Sequence, residues 1–200
     1  MRIPQKWSDL KIKQFIELRA ALEMRDIESL DRNVLIVSAL LDKPVEWVEE
    51  NLSLVDLTNI IGQCTFTKEL PPAKAAKRFF LGGKLWRMDL EIKNILPAQY
   101  IDISLLTKTD EDIIENMHKI MAIFCRPWYQ RKYNSKKAIK YAEIFYKDMP
   151  SDFAYSSALF FYHLYTASLD ATRTYLLKQA EELMKKVEAE QARLASNGRG

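Results

Sequence analysis

A repeat constrains this 200-residue chain more than any other feature. Residues 10–18, LKIKQFIEL, align without a gap on residues 95–103, ILPAQYIDI, so that Gln14 meets Gln99, Phe15 meets Tyr100, Ile16 meets Ile101 and Glu17 meets Asp102. Ile12 falls on Pro97, the residue type that opens helices because its missing N–H would have no partner there. With the second copy two residues shorter, residues 33–44, NVLIVSALLDKP, lie on residues 116–127, NMHKIMAIFCRP. A short helix, a polar loop and a buried helix stopped by a basic residue and proline thus occur twice. Neither copy alone can hide its apolar face. The repeat therefore predicts two related helical units around a shared core, with 12–22 and 32–41 superposing on 97–106 and 112–124. Gln14 should match Gln99, and Pro44 should match Pro127.

The segment between the copies breaks the helical period. Pro71-Pro72 ends any helix. Two short apolar–polar runs then flank Gly82-Gly83, a pair that supplies the positive φ angles of a tight primed turn and so predicts a β-hairpin. A lone hairpin is marginal in water, so it must rest on the helices or pair its edge with another chain.

Helical spacing supplies the rest. Asp31 is the expected N-cap of a helix over 32–41, apolar nearly all round. Ser53 caps one over 54–64. A stripe of Ile113, Met117, Ile120, Met121 and Phe124 runs to Pro127, behind the acidic start at residues 110–112. Further helices are expected over 136–146 and 151–167. Over 170–194, Leu176, Ala180, Leu183, Val187 and Leu194 form a narrow seam of coiled-coil type. The fold class is mainly α: two related helical units joined by a β-hairpin, with a projecting C-terminal helix. The boundaries are 1–66 for the first unit, 67–92 for linker and hairpin, 93–168 for the second unit and 169–200 for the charged helix and end. The expected core comprises Phe15, Leu18, Leu35, Val37, Leu40, Leu57, Ile61, Tyr100, Ile120, Ile123, Phe124, Phe153, Leu159 and Phe160.

Composition excludes several function classes. Five Gly and seven Pro rule out collagenous or Gly/Pro-rich disorder, and a net charge of +3 is not a bulk polyanion binder. Cys64 and Cys125, far apart and outside any metal-ligand spacing, read as buried free thiols. The opening residues have no apolar signal core, and no apolar run is long enough to span a bilayer. His118 and His163 sit among apolar residues with no nucleophile or carboxylate at a recognised spacing. No catalytic residue, metal site or cofactor is expected, and neither is enzyme activity.

Binding is expected instead. Residues 126–133, RPWYQRKY, with Lys136, Lys137 and Lys140, mix cations and aromatics. Trp, Tyr and Arg concentrate energy at protein interfaces, so Trp128, Tyr129, Arg131 and Tyr133 are interface candidates. Phe79, Leu81 and Leu85 of the hairpin join them, as do Leu176, Leu183 and Val187 of the last helix. The alternative is a nucleic-acid-binding module using Arg126, Arg131, Lys132, Lys136, Lys137 and Lys140, because single strands are held by cations and stacking rings.

The opening Ile3-Pro4-x-x-Trp7-Ser8-Asp9-Leu10, followed by QFIEL at 14–18, resembles the start of small helical proteins from the morphogenesis regions of tailed bacteriophages, notably of the Bacteroidetes-phage type. Gly82-Gly83-Lys84, residues 96–103 and Ala122-x-Phe124-x-x-Pro127 are similar to the same group over residues 3–165. Ala98 stands where Gly is common there, and Lys11 where a capping Thr is common. The resemblance implies a tail-assembly-chaperone-like or minor virion or connector protein without enzymatic activity. Its partners would be other phage structural or assembly proteins, in a homo-oligomer or ring. Its place would be the virion, or the host cytoplasm during assembly, with no membrane. The C-terminal helix is expected to project and be completed by a partner.

Overall fold

The computed structural model describes residues 2–71, 76–89 and 95–163, with Thr166, Thr174, 177–180 and 184–185 beyond them. The chain divides into two compact units, Met1–Tyr162 and His163–Gly200. In the second unit, residues 177–180 and 184–185 are helical, with Leu177 and Met184 exposed. Leu176, Leu183 and Val187 lie outside the described residues.

The first unit is mainly helical with a small antiparallel sheet. After a 3₁₀ turn at Trp7–Asp9 come α1 (Ile12–Glu23), α2 (Ser29–Leu41), α3 (Val45–Asn51), α4 (Leu54–Gln63) and a second 3₁₀ turn, Thr65–Lys68. The strands β1 (Arg78–Leu81) and β2 (Lys84–Met88) follow. Then come α5 (Pro97–Ser104), α6 (Asp110–Glu115), α7 (Met117–Phe124), β3 (Cys125–Pro127), α8 (Ser135–Asp148) and α9 over 151–162. Among the described residues no helix is long and apolar enough to cross a membrane.

The repeat appears as shared hydrogen bonding. α1 and α5 begin at aligned residues, Ile12 and Pro97. The side-chain oxygen of Gln14 accepts from the Lys11 N–H at 3.0 Å, and that of Gln99 accepts from the Leu96 N–H at 3.1 Å. The Gln14 amide donates to the Ala39 and Leu40 carbonyls, both at 3.1 Å. The Gln99 amide donates to the Ile123 carbonyl at 2.8 Å, and Ile123 is the residue that aligns with Leu40. Both glutamines are buried. Each therefore satisfies an orphan donor at the start of one helix and an orphan acceptor at the end of another. The aligned Phe15/Tyr100 and Leu18/Ile103 face inward, although Tyr100 is only half-buried.

The copies part at the end of the second helix. α2 ends at Leu41 and α7 at the aligned Phe124. Asp42 then turns left-handed, φ 51°, and Pro44 becomes the N-cap of α3. The aligned Cys125 is extended, and Pro127 closes a strand. Pro44 and Pro127 thus stand at the same distance past their helices, but the first caps a further helix and the second closes a strand.

Three boundaries also differ from expectation. α2 starts at Ser29 after Glu28, so Asp31 is a first-turn acid rather than the N-cap. The helix expected over 112–124 is broken at Asn116, whose φ of −98° and ψ of 9° leave the helical region. Residues 125–127, where the sequence shows only the helix stop at Pro127, form β3. Ser53 caps α4 as expected, accepting from the Asp56 N–H at 3.2 Å.

Gly82 and Gly83 have φ 56° and 70°, the two positive angles of a primed turn. The hairpin rests on helices and pairs within its own chain. β2 pairs β3 with Trp86 opposite Pro127 and Met88 opposite Cys125. The inner face carries Trp86, fully buried, edge-on to Tyr141 and Phe145 of α8, with its indole N–H donating to the Leu81 carbonyl. The remaining core lies between α1, α2, α7, α8 and α9. Phe124 stacks on Phe161 at 3.6 Å, so Phe161 rather than Phe160 is the buried member of that pair. Leu35, Ile61, Phe153 and Leu159 are only half-buried. Cys64 and Cys125 are free and buried.

Candidate functional site

The first surface is a groove of about 480 Å³ between α5, α7 and α8. On α8, Ala138 and Ala142 sit four residues apart on the face that meets α7. Their small side chains leave a channel walled by Leu105, Leu106, Ile123 and Ile139. Leu105 and Ile139 are exposed at its mouth.

The groove's polar groups are muted. His118 packs against Tyr146, ring centres 5.0 Å apart. Burial, helped by the neighbouring Lys119, holds its imidazole down to about 4, so it is neutral at pH 7. Burial and the hydrogen bond to Asp102 push the Tyr133 phenol upward, and the hydroxyl donates to Asp102 at 2.5 Å. The groove thus offers apolar walls and two uncharged rings, with Asp102, Lys119 and Glu143 also in its lining, an arrangement suited to an apolar group carrying a polar edge. Among the described residues, no cluster of three or more His, Cys, Asp or Glu could hold a metal.

The second surface is the outer face of the sheet. Phe80 pairs with Leu85, and the Trp128 N–H donates to the Leu85 carbonyl at 3.0 Å, which continues the register one residue past β3. Because side chains alternate along a strand, Phe80, Leu85 and Trp128 form one row across the sheet. Phe80 is 71% exposed, Trp128 63% and Tyr129 60%. Arg78, Arg87 and Arg126 form the next row. Arg126 is only 5% exposed and ion-pairs with Asp89 at 2.6 Å. Arg87 donates to the carbonyls of Gln130 and Arg131, both at 3.2 Å, and so pins the turn after Trp128.

The sequence candidates therefore separate. Phe79 is not a free contact residue, because it packs on Phe145, Phe153 and Trp86. Leu81 is half-buried with its carbonyl bonded to Trp86. Tyr133 is half-buried in the groove and bonded to Asp102. Arg126 is buried in an ion pair and cannot meet phosphate. Leu85, Trp128, Tyr129 and Arg131 share the outer sheet face and its turn, while Lys132, Lys136, Lys137 and Lys140 are exposed beyond it. Sequence reasoning missed Phe80 and Arg78, although the alternation in β1 carries the signal: Phe79 inward puts both outward. The groove had no such signal, since its walls come from three helices.

No family model, curated protein or solved structure matches this chain.

Proposed function

We propose that this chain is a non-enzymatic assembly or structural protein of the tailed-phage type, tail-assembly-chaperone-like or a minor virion or connector component, acting through protein–protein contacts. The observation that carries the reading is the mainly apolar α5–α7–α8 groove, with exposed Leu105 and Ile139 at its mouth. A channel of this kind accepts an apolar helix face or a single large side chain of a partner. The resemblance at residues 3–18, 82–84, 96–103 and 122–127 supports the phage context.

The test is a photo-crosslinking residue at position 139 of the full chain, placed in cells that are assembling particles. A single adduct with a virion or assembly protein is expected, and Leu105→Asp should abolish it. Mass spectrometry of purified particles then separates a virion component, present in them, from a chaperone, absent from them. No adduct, or one indifferent to Leu105→Asp, would overturn the reading.

A further inference from the structure

The outer sheet face carries a second assignment that does not depend on the groove. Residues 77–89 and 126–140 hold ten basic side chains and one acid, Asp89, leaving 20 basic and 26 acidic side chains for the rest of the chain. A nearly neutral protein is thus divided into a cationic sheet region and a net acidic remainder. That single acid is bonded to Arg126. Arg87 is engaged with backbone carbonyls. Arg78, Lys84, Arg131 and Lys132 remain exposed around the sheet, with Lys136 and Lys137 at the start of α8.

Aromatic side chains lie inside this cationic frame. Phe80 and Trp128 stand at the two ends of a three-strand row with Leu85 between them, and Tyr129 packs edge-on to Trp128 at 6.3 Å. Strands are about 4.8 Å apart, so the row presents two exposed rings roughly 10 Å apart on one surface. An acidic peptide would answer the charge and leave most of this ring area in water. A nucleotide answers both: its base has a π-face for the ring and its phosphate a charge for the arginine. We infer that the face built by Arg78, Phe80, Trp128, Tyr129, Arg131 and Lys132 binds single-stranded nucleic acid. Base recognition there is by stacking and is sequence-tolerant. Arg87 acts as a positioning residue, since it fixes the turn that carries Tyr129, Arg131 and Lys132.

The test is fluorescence anisotropy of labelled oligothymidylate, oligouridylate and oligodeoxyuridylate, about 20 nucleotides long, against the full chain over a salt series. With about four phosphates neutralised, log K should fall linearly with log salt at a slope of about −3, and Arg131→Ala should lessen that slope by about 0.7. Phe80→Ala and Trp128→Ala should each weaken binding by about five- to 150-fold. Because both rings are solvent-exposed, the melting temperature should not move, so lost binding is not lost fold. Oligouridylate binding more tightly than oligodeoxyuridylate of the same length identifies RNA as the source, and the reverse identifies DNA. No binding at about 50 mM salt, where phosphate contacts are strong, would overturn the inference. Binding that ignores both aromatic substitutions would do the same. A polyglutamate peptide that binds with the same dependence on Phe80 and Trp128 would assign the face to an acidic protein instead.

Discussion

The α1–α2 pair and the α5–α7 pair start alike and end differently. Each first helix opens with a buried glutamine that bonds its own N-cap and the end of the second helix. One residue past the second helix the two diverge. Asp42 turns left-handed and hands the chain to another helix, whereas Cys125 extends and hands it to a sheet. A shared stitch fixes how two helices meet at one end. A single backbone angle decides what the pair can be joined to. The first pair leads into further helices, and the second places Trp128 and the cationic turn on a sheet.

The largest test of this contrast is at the helix ends. Phe124→Ala removes a fully buried ring stacked on Phe161 and should cost about 3–5 kcal/mol. The aligned Leu41→Ala, at a half-buried site, should cost about 1 kcal/mol. Denaturant unfolding measures both, and similar losses would show that the copies contribute equally to the core.

Next come the glutamines. Gln14→Leu and Gln99→Leu keep the volume but strand a backbone N–H and a carbonyl, so each should cost about 1–3 kcal/mol. Values that agree between the two sites would confirm an equivalent role. A large difference would mean that one stitch is incidental.

A smaller effect belongs to the diverging angle. Asp42→Val forces a β-branched residue to φ 51°, removes the exposed ion pair with Lys13, and should cost about 1–2 kcal/mol, most of it from the angle. Cys125→Val, at an extended buried site, should stay within about 1 kcal/mol. Equal costs would remove the conformational reason for the divergence.

The last test uses pH. His118 aligns with Leu35, so only the second copy carries a titrating group at that place. Its folded value, about 4, lies below the ordinary 6.5. Between those values the unfolded chain binds the extra proton, so the stability His118 contributes is present above pH 6.5 and is lost as pH falls towards 4. The melting temperature should therefore drop across this window, and less so in His118→Leu. An unchanged slope in the variant would exclude His118 as the source.

Much of this contrast was legible in the sequence. The glutamine pair stood out because the same polar residue recurs at one place in two apolar stripes, whereas its burial shows only in the fold. Gly82-Gly83 marked the turn because almost no other pair accepts two positive φ angles. β3 was hidden: three residues are too few to show a period of two, and the apolar stripe ran straight into them. Trp86 and Phe145 were missed in the core because the hairpin and α8 meet only after folding. Phe160 was chosen over Phe161 because adjacent aromatics do not reveal which of them faces inward. The charge asymmetry was half visible in residues 126–140, but its other half is contributed by β1 and β2.

One further contact bears on synthesis. The Ile12 N–H donates to the Met149 carbonyl, the Ser151 N–H to the Leu10 carbonyl, and the Ser151 hydroxyl to the Trp7 carbonyl at 2.7 Å. The entry to α1 is therefore completed by residues that leave the ribosome about 140 positions later. At roughly 5–20 residues per second, this leaves the buried Leu10 and Ile12 waiting on the order of ten to thirty seconds for these partners. During that interval the nascent chain presents an apolar segment that the finished protein conceals. A ribosome-associated chaperone has that long to act on it.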